Sequence, residues 1–246
     1  LLQVLNAFIN VIITYFFIIM NKPTFGLPLI GWKNIFKKKY WMRLFRFRPI
    51  PLNFRLRNLI QIDHLKFAYK SGEKTQALSD VNMNITSGEV IVLVGPNGSG
   101  KSTLIDILTE AIEQDEGSIT FSGYELRDIY YEYHRQLGVV FQADTLFDEL
   151  TCREHFKLFS FKLRNRRQVK EQIERLSSLL KISNILDSRT KDISGGEKRK
   201  LCLALALMQN PKFLILDEPT SGVDAYCRRT IWKVIGDLEE TTVVVS

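Results

Sequence analysis

The sequence predicts an α/β fold built on a mostly parallel sheet, with one membrane-spanning helix ahead of it. Three observations carry that prediction. From Leu59 onward, apolar runs of strand length alternate with helix-length segments, the order expected when helices cover a parallel sheet. One of the strand-to-helix junctions is a glycine-rich loop, Gly95 to Gly100. Leu1 to Met20 carries no charge, and about 20 apolar residues suffice to cross a bilayer as a helix.

The N-terminal segment, residues 1–21, has few polar residues apart from Gln3, Asn6, Asn10 and Thr14. A secretory signal would need a basic start and a small-residue cleavage site, and neither is visible. A charge-free stretch this long also argues against a buried core helix. Residues 22–57 follow as a linker broken by Pro23, Gly26, Pro28, Gly31, Pro49 and Pro51. Ten of the 34 basic residues and none of the 27 acidic ones lie before Asp63. The net charge of +7 therefore belongs to this linker, and the rest of the chain is slightly acidic. A nucleic acid would suit such a segment, but its apolar neighbour favours a membrane. The basic residues then form the cytoplasmic flank of the span, and a lipid bilayer rather than a nucleic acid is the expected partner. Trp32, Tyr40 and Trp41 interleave with the lysines, as at a membrane interface, and IFKKKYWMRLFRF suits a short amphipathic helix lying on it. A chain that opens on Leu1 inside such a segment reads as a fragment of a longer protein.

The globular part, 58–246, is an ordinary composition for a folded domain, since the whole chain is 45% hydrophobic and 25% charged. Cys152, Cys202 and Cys227 are scattered and form no C-x-x-C pair, which suits buried thiols in a reducing compartment. LIQIDHLKFAY alternates, a Ser71-Gly72 turn follows, and ALSDVNMNI and EVIVLVG complete a set of three strands. Val90 to Val94 is continuously apolar, the pattern of a strand buried on both faces. Helices are expected at 101–113, 124–136, 151–180 and 195–209. Strands are expected near 137–141 and 212–216, and from Thr241 to Val245.

Gly95-Pro96-Asn97-Gly98-Ser99-Gly100-Lys101-Ser102 fits G-x-x-x-x-G-K-S/T between a buried strand and a helix. Glycines let the backbone wrap closely around phosphate oxygens, and successive N–H groups at a helix N-terminus attract anions. Lys101 is expected at the β- and γ-phosphates, the Ser102 hydroxyl on Mg²⁺, and Thr103 beside them. This P-loop by itself suits an ATPase, a GTPase or a small-molecule kinase equally. Phe213 to Leu216 is a buried strand that delivers Asp217 and Glu218 at its C-terminal end, where open α/β sheets bind ligands. Asp217 would hold Mg²⁺, and Glu218 would polarise the attacking water as a general base.

Ile193-Ser194-Gly195-Gly196-Glu197 precedes an apolar helix. Ser194-x-x-Glu197 is a capping box, which needs no nucleotide, yet Gly195 and Gly196 also leave N–H groups bare for an anion. With the strand to Asp217-Glu218 just downstream, this segment resembles the signature of the ABC transporter ATPases, L-S-G-G-Q, with Glu197 in place of Gln. The resemblance runs from about residue 59 to the end. It implies a RecA-like P-loop core, an antiparallel β subdomain and a helical subdomain at about 144–193, with a capping box at Thr151-x-x-Glu154. It also implies that Tyr69 stacks on adenine and that Gln142 touches Mg²⁺ and the water. Asp224, in Ser221-Gly222-Val223-Asp224, would lie in the loop that crosses a dimer interface. The signature of one domain closes over ATP held by a second, so the implied partners are a second ATP-binding domain and the transmembrane domain. ISGGEKRKLCLALAL, LDEPTSGVDAYCRRTIW and FQADTLFDELTCREH resemble the A subfamily, which implies lipid export. The family's switch histidine would follow TTVVVS, after Ser246, and His64, His134 and His155 do not stand in its position.

Two other readings stay open on these residues: a soluble ABC ATPase that uses the basic segment on nucleic acid, and an ATP-binding regulatory module without turnover. Leu1 to Met20 argues against the first, and the presence of Lys101, Asp217 and Glu218 argues against the second.

Overall fold

Alternating apolar residues build the first strand, and it lies in an antiparallel sheet. A computed structural model describes residues 58–69, 75–160, 163 and 165–246. The expected transmembrane helix 1–21, the linker 22–57 and the Ser71-Gly72 turn lie outside the described residues. Among the described residues, no helix is long and apolar enough to cross a membrane. Strand β1 (Asn58–Tyr69) pairs with β2 (Thr75–Thr86) on one edge and β4 (Glu116–Phe121) on the other. β5 (Tyr124–Glu125) completes the sheet, in the order β2-β1-β4-β5. Ile60, Ile62, Leu65 and Ala68 of β1 are buried. The period slips between Ile62 and Leu65, where the register also shifts and His64 takes a positive φ of 50°. An extra residue at a bulge has this effect.

A second, parallel sheet has the order β3-β8-β7-β6, made of β3 (Val90–Val92), β6 (Leu137–Val140), β7 (Phe213–Leu216) and β8 (Thr242–Val245). Every residue of β7 and β8 is buried, as continuous apolar runs require. β3 departs from expectation. It spans Val90–Val92, and Val90, Val92 and Val94 are 44%, 55% and 90% exposed. Among the described residues its only strand neighbour is β8, so it gains cover from one side. An apolar run identifies a strand without stating how many neighbours it has.

The helices are shorter than periodicity suggested. α1 (Lys101–Leu108) stops before residue 113 because Glu110 turns left-handed at φ 55°, and the N–H groups of Ala111 and Ile112 donate back to Asp106 O. The helix expected from 124 begins only at α2 (Tyr130–Gln136). Ser122 and Gly123, at φ 54° and 82°, form instead a two-residue turn between β4 and β5, the hairpin type that needs two positive φ angles. In place of one helix over 151–180 there are two, α3 (Cys152–Leu158) and α4 (Arg166–Leu179). Asn165 starts the second by accepting from the Gln168 N–H at 2.8 Å. α5 (Gly195–Leu207) and α6 (Ala225–Gly236) complete the chain order. Phe156, Ile173, Leu176, Leu201 and Leu205 form one apolar cluster with Leu214, Leu216, Val243 and Val245 of the parallel sheet. The three cysteines are free and buried, as their scatter suggested.

Candidate active site

The site lies within one compact unit, whose described residues are 58–69, 75–105, 114–160, 163 and 165–246. Its first part is the glycine loop between β3 and α1. Gly100 has φ 91°, and a Cβ there would lie 2.6 Å from Ala77 O and 2.8 Å from Leu78 Cδ2. No other residue fits at that point. Gly98, at φ 80°, faces open space instead, so the outer rim of the loop is left clear. Lys101 curls back over the loop, and its Nζ donates to Gly95 O at 2.9 Å and Pro96 O at 3.0 Å. Ser102 is exposed and Thr103 is buried. The Thr103 hydroxyl lies 3.1 Å from that of Tyr69, whose ring stands edge-on to Phe67 and is 41% exposed. Tyr69 is thereby fastened through its hydroxyl to the start of α1 while remaining partly exposed.

The second part stands at the C-terminal ends of β6 and β7. The Asp217 N–H donates to Val140 O at 2.9 Å, extending the pairing of the two strands by one residue. Glu218 follows at φ 46° with an exposed side chain. Gln142 Nε2 donates to Glu218 Oε2 at 3.1 Å, joining residues 76 apart in sequence. Burial pushes the Asp217 carboxyl above its ordinary value. A hydrogen bond from the Ser246 side chain opposes the rise, the charge of Glu218 adds to it, and the charges of Arg199 and Lys101 oppose it.

A third part forms at the N-termini of α5 and α6. Ser194 Oγ accepts from the Glu197 N–H at 3.3 Å and donates to Glu197 Oε2 at 2.7 Å. The Ser194 N–H donates to the same oxygen at 2.9 Å. The capping box is real, and these bonds hold the Glu197 carboxyl below its usual range. Gly195 faces open space, whereas a Cβ on Gly196 would lie 2.6 Å from Cys227 Sγ and 3.4 Å from Asp224 Oδ2. Asp224 caps α6 by accepting from the N–H groups of Tyr226 and Cys227 at 2.8 and 2.9 Å. Ser194, Gly195, Gly196, Glu197 and Asp224 therefore make one group, Gln142, Asp217 and Glu218 another, and Lys101 bonds within its own loop.

One residue of the site escaped the sequence reading. Arg199 of α5 is buried and donates to the carbonyls of Phe141 at 2.6 Å, Gln142, and Glu218 at 3.3 Å. Its only sequence signal is a basic residue two positions after Glu197, at the start of an apolar helix. The histidines stay outside the site: His64 contacts Asp80 at 3.0 Å, and His155 is buried between Phe147 and Thr151.

The expected ligands Ser102, Gln142 and Asp217 would offer oxygen donors only, which suits a hard divalent ion such as Mg²⁺. Among the described residues, no group of three or more His, Cys, Asp and Glu could hold a metal. An ion held here would complete its shell with water or with oxygens of the bound molecule.

Residues 78–221 match a family model described as ABC transporter. The phospholipid-transporting ATPase ABCA3 of Homo sapiens is 37% identical over 178 residues, 72% of this chain and 10% of that protein. ATP-binding cassette sub-family A member 2 of Rattus norvegicus is 36% identical over 72% of this chain and 7% of its own length. ABC transporter A family member 4 of Dictyostelium discoideum is 33% identical over 77% of this chain and 12% of its own length. The chain thus spans about a tenth of the curated relatives it matches. Among solved structures, the dimeric bacterial ABC transporter cassette MJ0796 superposes with a TM-score of 0.69 at 28% identity, covering 76% of this chain and 87% of that one. A post-hydrolysis dimer of the same cassette, bound to ADP and Pi, also gives 0.69, at 27% identity and the same coverage.

Proposed function

Because the chain belongs to the ABC transporter family, we propose that residues 58–246 are the ATP-hydrolysing engine of a lipid transporter, attached to its membrane domain through residues 1–57. The family assignment makes this chain a nucleotide-binding ABC ATPase domain. Its substrate, its membrane and the roles of single residues are the further reading. In that reading the loop Gly95 to Gly100, with Lys101, Ser102 and Thr103, cradles the phosphates, and Tyr69 stacks on the base. Mg²⁺, held by Ser102, Gln142 and Asp217, would neutralise charge building on the phosphate oxygens. Glu218 accepts a proton from the attacking water, and Gln142 orients both. The signature Ser194 to Glu197, with Asp224, closes on ATP held by a second such domain, a role supported by the dimers of the related bacterial cassette. Helices α3 and α4 fall in the helical subdomain, about 144–193. The likeness to ABCA3 supports a lipid as cargo, and the basic linker supports a cytoplasmic site for the domain.

The observation that carries the reading is the 3.1 Å contact of Gln142 with Glu218, one residue past Asp217. It joins a candidate water-orienting amide after β6 to a candidate base just past the end of β7. The test is ATP turnover by the full chain and by Glu218→Gln. General-base removal is expected to cost about 10²–10⁴-fold in kcat with ATP binding retained, and chelation of Mg²⁺ is expected to stop turnover. Unimpaired hydrolysis by Glu218→Gln would rule out Glu218 as the base. ATP binding without turnover in the unmutated chain would favour a regulatory module.

A further inference from the structure

We propose that Arg199 is a positioning residue for hydrolysis, a single buried side chain that ties the signature helix α5 to both loops flanking the reacting atoms. The proposal rests on the reading of Glu218 as general base.

An arginine is costly to bury unless its donors are satisfied. The Arg199 side chain is 5% exposed, and its nearest carboxylate, Asp144 Oδ1, is 3.5 Å away. Its closest partners are main-chain carbonyls: Phe141 and Gln142 on the segment after β6, and Glu218 on the segment after β7. The strands before these segments are already paired, through Asp217 N–H and Val140 O; beyond them the guanidinium, planar with its donors in a rigid fork, bridges the two segments where Gln142 Nε2 meets Glu218 Oε2.

The backbone of Glu218 needs such a hold. At φ 46° it occupies the left-handed region, which a non-glycine residue keeps only where its surroundings over-determine it. Its carbonyl accepts from Arg199 at 3.3 Å and from the Ser221 N–H at 3.1 Å. Fixing that carbonyl fixes the peptide plane that aims the carboxylate. Arg199 also lies two residues after Glu197 on the same helix. A displacement of the signature end of α5 therefore has a path to the backbone of Gln142 and Glu218 through this one side chain.

A merely structural arginine and a positioning one make different predictions. Removing a buried guanidinium strands the carbonyls it serves and costs stability in either role, so the kinetics of Arg199→Met, not its stability, separate the two roles. We expect Arg199→Met to lower kcat at least about tenfold while KM for ATP and equilibrium ATP binding change less than about twofold, the signature of lost transition-state alignment. Arg199→Lys, with the charge but no fork, is expected to lower kcat about threefold at unchanged KM. If Arg199→Met does not fold, Arg199→Lys decides by the same split. A kcat within twofold of wild type in the Met variant, an unchanged kcat in the Lys variant, or a parallel loss of ATP binding would overturn the proposal. Glu218→Gln is measured alongside. Wild-type turnover there fails the general-base reading and this proposal with it; a slow Glu218→Gln beside fast Arg199 variants fails this proposal alone.

Discussion

Gly195 and Gly196 are neighbours in sequence with opposite surroundings. A Cβ on Gly196 would press on Cys227 Sγ at 2.6 Å, while one on Gly195 would touch nothing within 4 Å. Gly196→Ala is therefore expected to destabilise the fold by about 1–3 kcal/mol, the usual cost of overpacking. Gly195→Ala should leave folding stability within about 0.5 kcal/mol, yet still lower ATP turnover if, as proposed, this helix N-terminus meets a nucleotide held by a second domain. Urea unfolding beside a turnover assay separates the two. Equal destabilisation by both substitutions would show that Gly195 is a packing residue. Both glycines were legible in the sequence as one motif, but their division of labour was not, because Cys227 approaches from a helix that begins 29 residues later.

Two helices open with the same device. Thr151 caps α3 and Ser194 caps α5, each in a complete capping box with Glu154 and Glu197. Loss of either hydroxyl leaves a helix-end N–H without its partner. Thr151→Ala and Ser194→Ala are each expected to cost about 1 kcal/mol in chemical denaturation. Only Ser194→Ala should also slow hydrolysis, since only α5 presents its N-terminus beside Asp224 and the open face of Gly195. A normal rate in Ser194→Ala would reduce that segment to its capping role. Caps of this kind depend on residues three apart, so they can be read without a structure. The Asn165 cap that divides α3 from α4 works on the same spacing, yet the amphipathic run around it masked the break.

Stability of the molecule as a whole carries a pH signature from His155. The Phe147 N–H can only donate, and it lies 2.9 Å from Nε2, so Nε2 carries no proton. Nδ1 lies 2.9 Å from Thr151 O and donates to it. Burial holds the imidazole below its ordinary value of 6.5, with the Thr151 carbonyl and the charge of Glu154 opposing. Well above 6.5 the ring is neutral in folded and unfolded chains alike and contributes no pH slope. As pH falls below 6.5 the unfolded chain takes up the proton first, so stability is lost down to the folded-state value. The melting temperature should therefore fall between pH 7 and 5.5, less steeply in His155→Gln. An identical slope in the variant would assign the effect to other groups.

The sequence by itself determined the α/β class, the glycine-rich loop between strand and helix, the paired carboxylates at a strand end and the capped segment Ser194 to Glu197. Each of these is a local pattern: an apolar run with a glycine turn, or a cap with fixed spacing, whose physics acts within a few residues. Tertiary structure alone decided that β3 is an exposed edge among the described residues, that Tyr69 is fastened to Thr103, and that Gln142 meets Glu218. It alone placed Arg199 among three carbonyls. These depend on which strands become neighbours, because β6 and β7 are more than 70 residues apart in sequence yet adjacent in the sheet. Strand order is set by the burial of the whole core, and no single segment of the chain carries that information.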